Sequence, residues 1–215
     1  MTRSEAMASI IYAVFRERKT WSVTPQDLTD SFVKSVLSDQ RAAELARHTG
    51  VPQGEALDDD LEDDKEPGET THLCVIDAQG NAVSLTQSIQ SLFGAKVANE
   101  ELGFLYNNCL TTCPRHEHPY QLASRCLARS NMAPAMLLKN GRLSLVLGAA
   151  GSRRIISSIV QVISGVIDDG LLLAEAVSRP RVHVTLSGKV HLEKMAATSK
   201  LRDTLARSFR DVRVR

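Results

Sequence analysis

The chain changes character at residue 70, and this change limits how it can fold. Residues 55–69 are dominated by acidic side chains and contain hardly any apolar ones, a composition typical of a solvated, disordered linker. Directly after it, residues 73–75 and 82–86 have the alternating pattern of strands, and residues 77–81 between them form a glycine-containing turn signal. This pattern predicts a β-hairpin. Thr70 therefore lies at the border between a linker and a hairpin.

A threonine at such a border can become a catalytic group. If the Glu69–Thr70 bond is cut, the hydroxyl of Thr70 is a nucleophile and its own α-amine, with a pKa of about 8, can accept the proton. The amine is locked in a peptide until cleavage, so the intact chain should be inactive as a hydrolase. The alternative is structural: Thr70 and Thr71 simply open a β-strand, which β-branched residues favour. Spacing alone leaves both interpretations open.

Periodicity predicts the other elements. Helices are expected over residues 4–19, 25–48, 155–167 and 173–177. Pro25 suits the first turn of the second helix, with Thr24 as its cap. Residues 135–138 and 143–147 flank Asn140-Gly141, the strongest short hairpin signal. Strands followed by helices in this order predict packed layers of sheet and helix.

Composition is that of an ordinary globular protein, with 215 residues, 43% hydrophobic and 24% charged. The length allows one sizeable core or two small ones. The net charge of +1 provides no global field that would attract nucleic acid or an anionic membrane. No apolar run reaches the roughly 18 residues of a membrane span. The apolar stretch at residues 6–15 has no clear cleavage site, so cytoplasm is the literal expectation for the compartment.

The cysteines are too few and too scattered for a disulfide-built scaffold, although one bridge remains open. They are Cys74, Cys109, Cys113 and Cys126. Cys74 is expected to face inward from a strand as a small core residue. Cys109 and Cys113, with His116 and His118, include enough thiols and imidazoles for a tetrahedral metal site. Their spacing is not that of a familiar zinc module, and a polar active-site loop is the other interpretation.

A set of short motifs occurs in a characteristic order along the chain. The motifs are Thr70-Thr71-His72, the hairpin at 77–84, Phe93-Gly94, residues 103–108 (GFLYNN), residues 130–134 (SNMAP), residues 148–155 (GAAGSRRI) and residues 180–183 (PRVH). In order and approximate separation they resemble the small subunit of γ-glutamyltransferases. The resemblance runs strongly from about Gly68 to Glu193. Residues 1–50 more faintly resemble the helical end of the large subunit.

The resemblance implies a fold and a domain organisation. The family has the α+β fold of N-terminal-nucleophile hydrolases, an αββα sandwich of two stacked antiparallel sheets between helical layers. We expect this fold to be incomplete here, because most of the large subunit and the last strands of the small subunit have no counterpart. The expected division is a helical segment at 1–54, an acidic linker with the processing site at 55–69, and a small-subunit-like catalytic region at 70–215. The chemistry requires no cofactor, and family members are often periplasmic or secreted.

The resemblance also implies catalytic roles. Thr70 matches the nucleophile, and Ser88 falls where the family places a hydroxyl beside it. Gly151 and Ser152 follow a predicted strand and precede a predicted helix, where backbone amides can stabilise an oxyanion. The family has two consecutive glycines there, but amides act independently of their side chains. A solvent-facing Ser88 and a plain tight turn at Gly151 are the structural alternatives.

Substrate recognition is where the chain departs from the family. The family binds the α-carboxylate and α-amine of a γ-glutamyl group through polar and acidic residues on the loop after Asn107-Asn108 and through two serines before the methionine. The matching candidates here are Cys109 and Thr112 on the loop and Ser130 and Asn131 before Met132, with Gln90 as a further one. Neither Cys109 nor Thr112 can pair with an ammonium as a carboxylate does. Three arginines could instead bind the carboxylate of a different acid: Arg115, Arg125 and Arg129.

The sequence thus predicts a γ-glutamyltransferase-like amidohydrolase or acyltransferase, made as a zymogen. It would cleave itself before Thr70 and act on γ-glutamyl amides such as glutathione, or on another amide-linked acid. Its partners would be this small molecule and either a partner chain or further copies of itself. The alternative is a catalytically inactive, truncated, light-chain-like remnant that depends on a partner subunit, because missing strands leave open sheet edges.

Overall fold

The computed structural model describes residues 2–18, 20–21, 29–47, 69–113, 130–209 and 211–215. Helices within these residues are α1 (Arg3–Arg18), α2 (Asp30–Val36), α3 (Asp39–Arg47), α4 (Arg154–Ile167), α5 (Leu173–Ser178) and α6 (Ser199–Ser208). Strands are β1 (Glu69–Ile76), β2 (Ala82–Gln90), β3 (Ala98–Asn99), β4 (Phe104–Leu105), β5 (Ala135–Lys139), β6 (Arg142–Leu147), β7 (Val182–Val184), β8 (Lys189–Leu192) and β9 (Asp211–Val214). Two 3₁₀ turns cover Cys109–Thr112 and Lys194–Ala196.

The elements form two compact units. The terminal unit combines α1–α3 with β7–β9 and α6, and the central unit contains β1–β6 and α4. The division into 1–54, 55–69 and 70–215 stays a prediction, and residues 55–68 of the expected linker lie outside the described residues.

The terminal unit is built around a three-stranded sheet. β7 pairs antiparallel with β8, and β8 pairs parallel with β9. The parallel connection contains α6, as such a crossover requires, and Thr198 caps this helix by accepting a hydrogen bond from the Leu201 amide. The helices and the sheet share one apolar core: Ala8, Ile11, Tyr12, Val182, Val184, Val190, Leu192, Leu201, Leu205 and Phe209. This core contains residues from both sides of the Glu69–Thr70 bond.

Two hairpins form most of the central unit. In β1–β2, the carboxylate of Asp77 accepts hydrogen bonds from the amides of Gln79 and Asn81. A further hydrogen bond from the Asn81 side chain is the largest influence that lowers the pKa of the Asp77 carboxyl. In β5–β6, Asn140 and Gly141 have φ angles of 54° and 75°, as a type I′ hairpin turn requires.

Helix α4 packs on the β5–β6 hairpin and buries the second core. Its members are Leu145, Leu147, Ile155, Ile159, Val162 and Ala176. Gly165 allows α5 to pack closely against α4, because a Cβ at position 165 would lie 3.1 Å from the Cβ of Ala176.

The second hairpin and the helices expected at 4–19, 155–167 and 173–177 are confirmed within one or two residues. The first hairpin is confirmed as well, but both of its strands extend four residues beyond the expected 73–75 and 82–86, back to Glu69 and on to Gln90. The single helix expected over 25–48 is wrong, because its described part is split into α2 and α3. Thr29 caps α2 through the Phe32 amide, and the Ser38 hydroxyl accepts from the Arg41 amide. Ser38 thereby caps the start of α3, although the apolar periodicity of the sequence continues through this position. Thr24 and Pro25 lie outside the described residues.

One further expectation needs correction. Cys74 was expected to be a small core residue, but its side chain is exposed.

The described strands form three two-stranded sheets and one three-stranded sheet. No described helix is both long enough and apolar enough to cross a bilayer.

We predict that Leu205→Ala lowers the free energy of unfolding of the terminal unit by about 2–5 kcal/mol, since it empties a position in a closed core. Leu205 is 1% exposed. The matched control is Met195→Ala, whose side chain is 86% exposed and which should change stability by no more than about 0.5 kcal/mol. Urea denaturation measures both. Equal costs for the two substitutions would contradict this core assignment.

Candidate active site

One face of the β1–β2 hairpin is lined by polar side chains. Three of the four cross-strand pairs on this face are Thr70 with Ser88, His72 with Thr86, and Cys74 with Ser84, and the fourth, next to the turn, is Ile76 with Ala82. The opposite face has Thr71 and Gln87 at one end and is otherwise apolar and exposed: Leu73, Val75, Val83 and Leu85. Antiparallel pairing therefore brings the candidate nucleophile and the candidate supporting hydroxyl directly opposite each other.

Ser88 connects the candidate nucleophile with the bond to be cut. The Thr70 hydroxyl donates to Ser88 Oγ at 3.0 Å, and Ser88 Oγ donates to the Glu69 carbonyl oxygen at 3.2 Å. The Gln90 amide also donates to Ser88 Oγ at 3.1 Å. One donated and two accepted hydrogen bonds use the full capacity of a serine hydroxyl.

The backbone is irregular beside this network. The β1–β2 register shifts between Glu69 and Thr70, and such irregularities are enriched next to active sites. Gln90 has a φ of 75°, a conformation that costs a non-glycine residue about 1–3 kcal/mol and that is enriched at functional positions.

The loop after β4 packs against the same end of the hairpin. Asn108 holds it there, because its side chain accepts from the Ser91 amide and its own amide donates to the Ile89 carbonyl. Cys109 Sγ lies 3.9 Å from the Ser88 carbonyl oxygen. Burial raises the pKa of the Cys109 thiol, which keeps it neutral. The Thr112 hydroxyl donates to the Cys109 carbonyl at 2.8 Å. In the described part of this loop, residues 106–113, no side chain is an acid or a base of the Asp, Glu, Lys or Arg type.

The turn between β6 and α4 has the features of an anion site. Gly151 and Ser152 have φ angles of 125° and 55°, and their carbonyls accept the first hydrogen bonds of α4. Among the contacts of the described residues, the amide of neither residue donates a hydrogen bond. Unused amides at a helix N-terminus favour negative charge. Ser152 bears strain of about 1–2 kcal/mol that a glycine would not have.

Two contacts tie the hairpin to the segment that leads into this turn. Ser84 Oγ donates to the Leu147 carbonyl at 3.1 Å, and the ring of His72 lies against Gly148. Both contacts involve the polar face of the hairpin. From Ser84 to His72 this face comes one pair closer to Thr70, and from Leu147 to Gly148 the other segment comes one residue closer to Gly151. The next pair on that face is Thr70 with Ser88, and the chain beyond Gly148 continues into the turn.

The predicted site residues thus fall into three groups. Thr70, Ser88, Gln90, Cys109 and Thr112 belong to one contact network around Ser88. Gly151 and Ser152 form the turn before α4. Ser130 and Asn131 precede β5, where Ser130 Oγ accepts from the Met132 amide.

Parts of two alternatives fall outside the described residues: His116 and His118 of the metal hypothesis, and Arg115, Arg125 and Arg129. In the part of the chain that the structure describes, no group of three or more metal-ligating side chains occurs. The metal hypothesis stays a prediction.

Sequence reasoning assigned no role to His72 or Asn108, although both lie within the quoted motifs. A signal was present for His72, because a polar residue at every second position of both strands marks a polar sheet face. Asn108 had no comparable signal, since its partners lie about 17 residues away in the chain.

Solved structures with a similar fold identify the class. The chain resembles a mutant γ-glutamyltranspeptidase from Helicobacter pylori with a TM-score of 0.61 and 32% identity, covering 67% of this chain and 84% of that one. It also shares the fold of a cephalosporin acylase from Bacillus halodurans, with a TM-score of 0.78 and 22% identity over 98% of this chain and 38% of that one. The fold is therefore the α+β fold of N-terminal-nucleophile hydrolases, present in part.

Within this class, the family profile described as gamma-glutamyltranspeptidase matches residues 5–214. The chain belongs to the γ-glutamyltranspeptidase family. Curated relatives include an acylase ACY 1 proenzyme from a Pseudomonas species, 39% identical over 69% of this chain and 26% of its own length. A glutathione hydrolase proenzyme from Pseudomonas aeruginosa is 34% identical over 70% of this chain and 28% of its own length. The chain thus spans about a quarter of the length of these relatives.

Proposed function

We propose that this protein is a self-cleaving amidohydrolase or acyltransferase in which Thr70 is the nucleophile. The observation that carries the proposal is the position of Ser88 between the Thr70 hydroxyl and the Glu69 carbonyl. A hydroxyl that contacts both groups can orient the nucleophile and polarise the bond that it attacks. The names of the relatives agree, since both the acylase and the glutathione hydrolase are called proenzymes.

Self-cleavage proceeds as an acyl shift followed by hydrolysis. The Thr70 oxygen attacks the Glu69 carbonyl carbon, an ester bond forms, the Glu69–Thr70 C–N bond breaks, and the nitrogen of Thr70 takes a proton. Water then hydrolyses the ester, so that Glu69 ends as a carboxylate and Thr70 as a free N-terminus. Ser88 donates to the carbonyl oxygen on which negative charge develops.

Turnover uses the same groups with new roles. The freed α-amine accepts the Thr70 hydroxyl proton while the oxygen attacks a substrate amide. The amides of Gly151 and Ser152 are the candidates to stabilise the tetrahedral oxyanion; one such donor is typically worth about 10²–10³ in rate. The C–N bond breaks, the leaving amine takes the proton, and water or an acceptor amine releases the acyl group. No step requires a cofactor.

We predict that the purified chain divides into two fragments that part before Thr70. Thr70→Ala abolishes this cleavage because it removes the nucleophile, Thr70→Ser retains it, and Ser88→Ala slows it by about 10²–10³-fold because it removes the donor to the Glu69 carbonyl. Thr71→Ala is the matched control and should cleave at the normal rate, because residue 71 faces the opposite side of β1. Intact-mass measurement over time records all four variants. A single uncut wild-type species with undiminished amidase activity would exclude the scheme.

For the substrate, we propose an acyl group of the γ-glutamyl type, as in glutathione, in accordance with the relatives named glutathione hydrolases. The uncharged loop at Cys109 and Thr112 favours a second candidate within the same reaction. An amide of a dicarboxylic acid without an α-amine, such as a glutaryl amide, has no ammonium that needs a carboxylate partner. A buried, unpaired ammonium is costly, so an acyl group without one suits this loop better.

We predict that Thr112→Asp shifts the preference towards γ-glutamyl anilide over glutaryl anilide by about 10-fold or more, because a hydrogen bond to a charged group contributes about 1.5–3 kcal/mol. The ratio of kcat/KM for the two anilides is the measurement. Thr111→Asp is the control, since Thr111 is exposed and its hydroxyl likewise donates to a backbone carbonyl. An equal shift in both variants would indicate a general charge effect.

The inactive, partner-dependent remnant remains the competing proposal, and the exposed apolar face of the β1–β2 hairpin favours it. Val75 and Val83 are 54% and 50% exposed, and such patches typically mark interfaces. We expect turnover of an anilide by a species of defined size in size-exclusion chromatography. Aggregates, or a species that needs an added partner and shows no turnover, would support the remnant.

A further inference from the structure

We propose that His72 is a positioning residue that holds the Gly151–Ser152 turn at its working distance from Thr70. The inference rests on the proposed function, because it concerns the geometry of that same site. It assigns to His72 a role that neither strand formation nor the chemistry of the nucleophile requires.

The imidazole ring is held at both nitrogens. Nδ1 lies 2.8 Å from Thr86 Oγ1, and Nε2 lies 3.1 Å from Cys74 Sγ. A neutral imidazole has one donor and one acceptor, and a hydroxyl and a thiol can each serve as either. Both contacts are therefore satisfied in either tautomer, and the ring has a fixed orientation on the hairpin.

The outer side of the ring lies directly on the backbone of Gly148. A Cβ built at Gly148 would lie 2.2–2.6 Å from three ring atoms, Cε1, Nδ1 and Nε2. Gly148 does not have a positive φ, so its backbone conformation is open to any residue. The glycine is needed here for space, and the occupant of that space is the ring of His72.

The location of this contact gives it a role in the site. Thr70 lies two residues before His72 on the same face, about 7 Å along the strand. Gly148 lies three residues before Gly151. The contact between Ser84 and Leu147 is one step further from the site, so the ring provides the tie next to the nucleophile. A displacement of about 1 Å between reacting groups can cost on the order of 10²-fold in rate.

The first test is a double-mutant cycle on the turnover of an anilide by the cleaved full chain, because turnover is the step that uses the amides of Gly151 and Ser152. We expect His72→Ala and Gly148→Ala each to lower kcat by about 10–100-fold. Both variants should slow the cleavage before Thr70, which uses Ser88, by a smaller factor. The double variant should turn over faster than Gly148→Ala alone, because removing the ring makes room for the new methyl group. His72→Asn, which keeps a polar group within reach of Thr86, should recover part of the rate. Thr71→Ala serves as the control and should be unchanged.

The second test is independent of activity. In a Thr70→Ala background, His72→Ala should shift the amide NMR resonances of Gly151 and Ser152, whereas Thr71→Ala should leave them in place. Unmoved resonances, or additive effects in the cycle, would overturn the positioning role. If the wild-type chain never cleaves, the proposed function fails, and the resonances alone then decide whether His72 positions the turn. Should His72→Ala not fold, His72→Asn and Gly148→Ala give the same comparison.

Discussion

The antiparallel register between β1 and β2 is the constraint on which the candidate site depends. It sets Thr70 opposite Ser88 and His72 opposite Thr86. A slip of one residue would turn these side chains to the exposed apolar face and bring Leu73 to the polar one. The hydrogen-bonded turn at Asp77 fixes this register at the far end of the hairpin. A local turn motif thereby determines which groups surround the candidate nucleophile.

The two compact units are affected differently by the proposed cleavage before Thr70. Every described candidate site residue lies in the central unit, so the described part of the catalytic arrangement is contained in one unit. The core of the terminal unit combines Ala8, Ile11 and Tyr12 with residues of β7, β8 and α6. Fragments formed by cleavage before Thr70 would therefore share an apolar core, and that core would hold them together. Hydrophobic burial does not depend on chain continuity, which makes the cut compatible with a folded product.

Elements with strong local signals could be predicted from the sequence. Asn140-Gly141 specifies its hairpin because both residues tolerate positive φ, and the apolar face of α4 recurs over almost four turns. The prediction of one helix over 25–48 was wrong because the spacing of apolar residues does not register a serine that caps a new helix within the pattern. Cys74 was misjudged for a related reason: alternation identifies its face, but only the packing of other elements decides whether that face is covered.

In the candidate site, features that depend on neighbouring residues could be predicted from the sequence, whereas contacts between distant segments could not. The sequence by itself determined the hairpin after Thr70, the turn that sets its register, and the uncharged residues Cys109 and Thr112, because residue type and hairpin geometry act locally. The place of Ser88 beside Thr70 was implied by the resemblance to the family. Only the tertiary structure decided that His72 lies on Gly148, that Ser84 holds Leu147, and that Cys109 lies against Ser88. These contacts join segments about 20–75 residues apart, and their formation depends on how whole elements pack. No local pattern encodes that packing.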